Sequence, residues 1–370
     1  VVVVIILTVN PGSYSLRAHM VRTTDERVLD AAEIEHPADS REAREALDEL
    51  LDRTGAAGLD GVAHRLVHGG ADLIEPTVVD ANVRRSIDRA CALDPQHGPN
   101  TLALLDLLAK RLPDVPHVVC PDTAFHRTLS EVARAYALPE QWRARWGLRR
   151  YGFHGLSFGW ALRRAGDLLD RPVEGLNLLI AHLSGGCSVC SVHNGRSVDT
   201  SMGFTPLEGL MMSRRSGTVD PGMLLWLLRE EKLSVGELEE GLYRKSGLLG
   251  LSGSSGDTRD LVRDARHGEV RASFALAVFE HRARRELAAM AASLPAVDGL
   301  VFTGDIGWDQ PEVVEAISAG LGALGIQGGL ISARDEDAVI SAPEAAIPVL
   351  AVRSREELQL AAVTAAVLKP

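Results

Sequence analysis

Short apolar runs alternate along the chain with longer stretches whose apolar residues recur every three or four positions, a pattern that predicts strands and helices layered into an α/β protein. In the first third, residues 1–9, 62–67 and 117–120 read as strands, and residues 42–51, 101–110 and 129–136 as helices. Residues 138–150 mix Pro, Trp and Arg without a period, so they read as a connection and put a domain boundary near residue 150. Beyond it, residues 177–183 and 189–193 read as strands joined through small residues, with Asn194-Gly195 as the next hairpin turn. Helices are expected at 222–232 and 270–292, a strand at 300–302 leading into a turn at 303–307, and another strand at 349–352. A final helix is expected from Arg355 to about Val367, with Ser354 as its N-cap.

One arrangement occurs twice. The run 1–9 is followed by Gly12, Ser13 and Ser15, and the run 177–183 by Ser184-Gly185-Gly186-Cys187-Ser188, small-residue turns whose backbone N–H groups suit a phosphate. A strand, a small-residue turn and a returning strand in both halves imply a duplicated nucleotide-binding design. A third such turn follows the strand at 300–302, and the turn after a central strand is where α/β sheets place ligands.

Composition narrows the picture. A chain of 370 residues with 46% hydrophobic positions can bury a large core and is long enough for two domains. Its formal charge of -11 leaves no broad basic stripe, so no nucleic-acid partner is expected. Cys91, Cys120, Cys187 and Cys190 are too few to staple this length, which points to a reduced, cytoplasmic protein. Cys187-x-x-Cys190 falls in a predicted hairpin rather than at a helix start, so it reads as two buried, inert thiols. The opening apolar run lacks a basic flank and stops at Asn10-Pro11-Gly12, and no later stretch reaches the roughly 20 apolar residues of a membrane span, so no membrane partner is expected. The start at Val1 reads as the loss of a residue or two, or as a late start to the numbering.

The polar residues that could do chemistry are His64-Arg65, His97, Asp122, His126, His154, His182 and Arg214-Arg215, all beside Gly, Pro or short apolar runs. Arginines brought near histidines suit an oxyanion or phosphoryl group, because guanidinium offers a fixed fork of donors. His64 and His68 stand at i, i+4 but lack the glutamate of H-E-x-x-H, which argues against zinc. Neither G-x-x-x-x-G-K-[ST] nor a strand-borne G-x-G-x-x-G is present, so a nucleotide must be held by another device. Ser157 near His154 lacks a G-x-S-x-G elbow, which weakens an acyl-hydrolase reading.

Several ordered blocks add a resemblance. They are Asn10-x-Gly-Ser-x-Ser, His64-Arg-Leu-Val-His-Gly-Gly70, Asp122-Thr-Ala-Phe-His126, Tyr151-Gly-Phe-His-Gly155, residues 199–212 (DTSMGFTPLEGLMM), Arg215-Ser-Gly-x-x-Asp-Pro221, Ser246-Gly-Leu-Leu-Gly-Leu-Ser-Gly253 and Phe302-Thr-Gly-x-Ile-Gly307. Over nearly the whole chain they resemble the acetate kinase family of short-chain carboxylate kinases. The resemblance implies a duplicated ribonuclease H-like, actin-like ATPase fold of two α/β domains with a central interdomain cleft. Residues 1–148, completed by a helix at about 354–370, would form the first domain, and residues 149–353 the nucleotide-binding second. The implied reaction is reversible, ATP-dependent phosphorylation of acetate or a close relative such as propionate to an acyl phosphate, by direct in-line transfer with Mg2+, in a homodimer. Carried over position by position, the catalytic residues are Arg65, Asp122, His154 and Arg215, with His97, His154 and Arg215 supporting the transition state. The carboxylate side is Arg65, Val67, Gln96, Phe153 and Pro206. The ATP/ADP side is Asn10, Ser13, Ser15, Arg17, His182, Gly185, Gly186, Asp257, Thr258, Arg259, Gly304 and Gly307. Magnesium falls to Asn10 and Glu356, with Asp122 acting through water.

The match has departures. Arg17 stands for the family's Lys, Tyr14 for a Ser, Ser184-Gly185 for Gly-Asn, and Gly304-Asp-Ile-Gly-Trp-Asp309 for Gly-Gly-Ile-Gly-Glu-Asn. These changes leave guanine nucleotides or pyrophosphate open as donors. Gln96 stands where leucine is usual; a buried amide wants a partner, so a hydroxylated or otherwise polar acid, or a bound water, is expected there. The alternative function is a nucleotide-binding sensor or structural protein that keeps the fold and transfers phosphate poorly.

Overall fold

The computed structural model describes residues 4–12, 15–54, 58–333 and 335–369. The chain divides into two compact units, the first of residues 1–127, 153–160 and 355–370, the second of residues 128–152 and 161–354.

In the first unit the strands are β1 (Ile5–Pro11), β2 (Leu16–Arg22), β3 (Arg27–Ile34), β4 (Gly61–Leu66), β5 (Thr77–Val78) and β6 (His117–Pro121). They form one sheet in the order β3-β2-β1-β4-β6-β5. β1, β4 and β6 run parallel at its centre, while β2 and β3 fold back antiparallel on one side. The expected first strand begins later than residue 1: β1 opens at Ile5, and residues 1–3 lie outside the described residues. Its run is continuously apolar because it is covered on both faces; Ile6, Leu7 and Val9 are fully buried. Helices Arg41–Thr54 and Gly98–Arg111 supply Leu47, Leu50, Leu104 and Leu108 to one core with Leu7, Val9 and Val62. The closing helix Glu356–Leu368 packs on β1 and β4, with the Cys120 thiol 3.4 Å from the Thr364 hydroxyl. Its N-cap is Arg355, without a side-chain cap, so Ser354 does not play the part expected of it.

The second unit contains β7 (Asn177–Leu183), β8 (Cys187–His193), β9 (Arg196–Thr200), β10 (Gly299–Thr303), β11 (Ala338–Val339) and β12 (Val349–Ala351), in the order β11-β12-β10-β7-β8-β9. Strand for strand this repeats the first sheet: β7-β8-β9 is the antiparallel meander, β10 and β12 are the parallel additions, and a short antiparallel strand closes the edge. The duplication inferred from two small-residue turns is therefore present in the topology. Asn194 and Gly195 both have positive φ, 51° and 74°, the backbone that a tight two-residue hairpin requires.

Three expectations need correction. The helix at 129–136 shrinks to Glu131–Arg134, because Ala135 leaves it to bridge Arg149. The stretch 138–150 is not merely a connection: it holds the helix Glu140–Trp146, ended by Gly147 in the left-handed conformation. That helix buries none of its residues, so no apolar period was there to be read. The turn at 303–307 is instead the end of β10 and a short helix, Gly304–Asp309.

A histidine pair lies in the first unit's core. His64 Nε2 is 2.9 Å from His117 Nδ1, and His117 Nε2 lies 3.3 Å from the Leu112 carbonyl. With His117 donating to that carbonyl, His64 must donate to His117, which leaves His64 Nδ1 buried without a partner. Burial lowers the pKa of both rings, His64 well below the ordinary value with His117 adding to the fall, while the hydrogen bond to Leu112 partly opposes the fall at His117. The unfolded chain therefore takes up protons first, near pH 6.5. Stability from the pair is complete above that pH and is lost as pH falls below it. We expect the urea midpoint to fall between pH 7.5 and 5.5, corresponding to about 1 kcal/mol or more. His64→Phe/His117→Leu should flatten the decline; an identical decline in that variant would show the pair is not its source.

Candidate active site

At the C-terminal ends of the three central strands of the first unit, four polar side chains converge. Asn10 is near the end of β1, Arg65 is on β4 and Asp122 follows β6. The parallel registers, Val9 beside His64 and Arg65 beside Cys120, bring them to one end of the sheet. Glu356 comes from the first turn of the closing helix.

Arg65 Nη2 donates to Asp122 at 2.7 Å, its Nε donates to the same carboxylate at 3.2 Å, and its Nη1 donates to Asn10 Oδ1 at 2.9 Å. Asn10 Nδ2 donates to Glu356 at 3.0 Å, and Glu356 lies 3.5 Å from Arg65 Nη1. Burial opposes the Arg65 charge, but Asp122 and Glu356 outweigh it and raise the guanidinium above its ordinary pKa. Burial also raises the Asp122 carboxyl, against the pull of Arg65 and with Glu356 adding to the rise. Two carboxylates thus share one guanidinium, and the excess negative charge suits a cation.

Around this cluster the first unit places Asp94 and His97, whose ring Nδ1 is 3.0 Å from the Asp94 carboxylate. His97 exerts an electrostatic pull on Asp122, and Asp94 acts on Arg65, so the two pairs face one another. Asp94 was not among the expected residues. Its only signal was a position three before His97, in the turn that opens a helix. Val67 and Phe153 are buried, with the Phe153 ring edge-on to His68 at 5.4 Å, and the Phe153 carbonyl is 3.0 Å from His126 Nε2. Gln96 is half-buried, as is His154. His154 has φ of +59°, a strained backbone for a residue with a side chain. The next residue must be glycine, because a Cβ on Gly155 would stand 2.0 Å from the Asp122 carbonyl oxygen. Arg17, in register with Asn10, is exposed and 3.9 Å from Glu33. The Ser15 carbonyl accepts the Gly12 N–H at 2.8 Å, while Ser13 and Tyr14 lie outside the described residues.

In the second unit a cavity of about 150 Å³ is lined by Ser184, Gly185, Ser213, Gly256, Asp257, Thr258, Arg259, Asp305, Ile306, Asp309 and Gln310. It joins three of the expected segments: the turn after β7, the start of the helix after β10, and the N-terminus of helix Thr258–Arg266. Asp257 caps that helix through the Arg259 N–H and also holds the Arg259 guanidinium at 2.6 Å. Gly304, at φ +79°, packs on the Leu183 peptide, where a Cβ would be 2.5 Å from its carbonyl oxygen. His182 is buried at the end of β7, paired in register with Thr303. Gly186, Gly304 and Gly307 shape these turns without lining the cavity. Trp308, one of the departures from the family pattern, is buried under the Arg353 guanidinium, 4.9 Å from its ring, and is absent from the cavity wall. Arg215 and Pro206 belong to this unit and are bonded to each other, Nη1 to carbonyl, at 2.7 Å. The four cysteines are free and buried, and burial pushes their thiols up to about 12, as inert thiols require.

Residues 14–362 match the model of the acetokinase family. An acetate kinase from a Synechococcus species is 44% identical over 308 residues, covering 83% of this chain and 76% of its own. Among solved structures, the acetate kinase of Porphyromonas gingivalis superposes with a TM-score of 0.89 at 31% identity, over 99% of this chain and 100% of that one. A propionate kinase from Francisella tularensis gives a TM-score of 0.89 at 28% identity, over 97% and 98% of the two chains.

The coupling of Arg65 to Asp122 is measurable without substrate. Asp122→Ala leaves a buried cation short of its main partner, and urea unfolding should show a loss of about 3–5 kcal/mol. Replacing both, Arg65→Met/Asp122→Leu, should recover most of it. A loss of no more than about 0.5 kcal/mol in Asp122→Ala, as for a surface change, would mean that the pair is not coupled.

Proposed function

The chain belongs to the acetokinase family, and from that premise we propose which of its residues carry the reaction. It catalyses the ATP-dependent phosphorylation of a short-chain carboxylate to an acyl phosphate, on the duplicated actin-like fold of the acetate kinases. The observation that carries the residue assignment is the cluster of Arg65, Asp122, Asn10 and Glu356 at the ends of three adjacent parallel strands.

The acceptor oxygen is already ionised near neutral pH, so no residue has to remove a proton from it. Catalysis then reduces to holding the partners in line and neutralising the charge on the transferring group. Arg65 binds the acceptor carboxylate, exchanging a hydrogen bond to Asn10 or Asp122 for one to substrate. Arg215, with His154 and His97, donates to the phosphoryl oxygens as they take on charge. Val67, Phe153, Gln96 and Pro206 receive the acyl group. The phosphate-binding role falls to Asn10, Ser15 and Arg17, and nucleotide binding to His182, the Ser184–Gly186 turn, Asp257, Thr258, Arg259 and the turn bearing Gly304 and Gly307.

The oxygens of Asn10, Glu356 and Asp122 are hard donors, and two carboxylates against one guanidinium leave charge for a divalent ion, so this set fits magnesium. Bound there, the ion would add charge neutralisation at the phosphate oxygens. We further propose a cytoplasmic homodimer without a nucleic-acid partner. Four free thiols, a net charge of -11 and half-exposed Trp142, Trp146 and Trp226 on the second unit support it. No described helix is long and apolar enough to cross a membrane.

A hydroxamate assay for acyl phosphate with ATP and Mg2+ tests the assignment. Arg65→Ala and Arg215→Ala should each lower kcat by about 10²–10³-fold per folded molecule, and Arg65→Ala should also lower the urea midpoint because Asp122 loses its partner. Turnover near the natural level in either variant would remove that arginine from the mechanism. Gln96→Leu should raise kcat/KM for propionate relative to a 2-hydroxy acid by about tenfold, since burying an amide against a methyl group is costly. An unchanged ratio would take Gln96 out of the acyl pocket.

A further inference from the structure

The second unit's cavity is unusually acidic for one that admits a polyphosphate. Its wall carries the carboxylates of Asp257, Asp305 and Asp309 against a single guanidinium, Arg259. That guanidinium is already committed, with Nε and Nη2 both donating to Asp257. Asp305 is held in place from across the cavity, because the Ser184 hydroxyl, just past β7, donates to its carboxylate at 2.9 Å. Ser184 and Asp305 stand 121 residues apart in the chain and meet only because β7 and β10 are parallel neighbours.

We propose that Asp305 is a specificity-determining residue for the phosphoryl donor, favouring the magnesium-bound nucleotide and rejecting the free polyanion. This rests on the reading of the cavity as the donor site. A carboxylate fixed at the wall repels a nearby anion in proportion to that anion's charge. Free ATP carries about four negative charges and its magnesium complex about two, so the penalty falls most heavily on the uncomplexed form. A glycine at this position would impose no such difference.

The test is calorimetric titration of the full chain with ATP, in EDTA and in excess Mg2+, for the natural protein, Asp305→Asn and Asp305→Gly. Asparagine keeps the shape and removes the charge. The ratio of the two dissociation constants, free ATP over the magnesium complex, should fall about fivefold in both variants, mainly through tighter binding of free ATP. A ratio in Asp305→Asn within twofold of the natural one overturns the inference, including the case in which only Asp305→Gly responds, because bulk rather than charge would then be acting. Gly185→Leu separates this from the underlying reading: a Cβ at Gly185 meets nothing within 4 Å, so the chain can accept a side chain that obstructs the cavity. Unchanged ATP binding in Gly185→Leu would mean that the cavity is not the donor site. Weakened binding there, with unchanged ratios in the Asp305 variants, sinks the Asp305 inference alone.

Discussion

A guanidinium taken out of water has to be met by fixed acceptors, and the first unit is organised around that requirement at Arg65. Its side chain is 16% exposed and Asp122 is 1% exposed, so neither is tolerable alone. The pair holds together because β4 and β6 are parallel neighbours whose last residues reach the same edge of the sheet. Asn10 and Glu356 complete the set through the end of β1 and the start of the closing helix. Three positions spread over most of the chain thus converge on one cation. Gly155 extends the constraint, since the Asp122 backbone leaves no room there for a Cβ.

The second unit repeats the strand order of the first without repeating its chemistry. Where β1 and β4 end in Asn10 and Arg65, β7 and β10 end in Ser184-Gly185-Gly186 and Gly304. Small residues permit close approach of backbone, and Gly304 takes a positive φ against the Leu183 peptide that a side chain would forbid. One sheet end therefore carries a buried charged cluster, and the other carries close-packed turns flanked by the carboxylates of Asp257, Asp305 and Asp309.

On the proposed assignment the acceptor arrives already ionised, so the acidic residues of the first unit would hold charge rather than move protons. Asp122 spends its hydrogen-bonding capacity on Arg65, and Asp94 spends its own on His97. The histidines play different parts: His64 and His117 are a core pair kept neutral by burial, whereas His97 sits beside the charged cluster and His154 is held in a strained backbone. A histidine count alone could not have separated these environments.

The amino-acid sequence alone determined the α/β class, the duplication, the central strands and the long amphipathic helices, because burial on one face imposes a local period that any reader of the chain can see. It also carried, through its ordered blocks, the family and most of the residues now found at the two sheet edges. Glu140–Trp146 escaped because a helix with no buried residue has no period, and the helical start at Gly304 escaped because glycine and aspartate read as turn formers. Asp94 and Asp305 escaped for a different reason: their significance lies in partners, Asp94 beside the Arg65 cluster and Asp305 bonded to a serine 121 residues away. Which charges meet, which are buried and which lack a counter-ion depends on strand register and helix docking. Those are distances through space, and only the tertiary structure decides them.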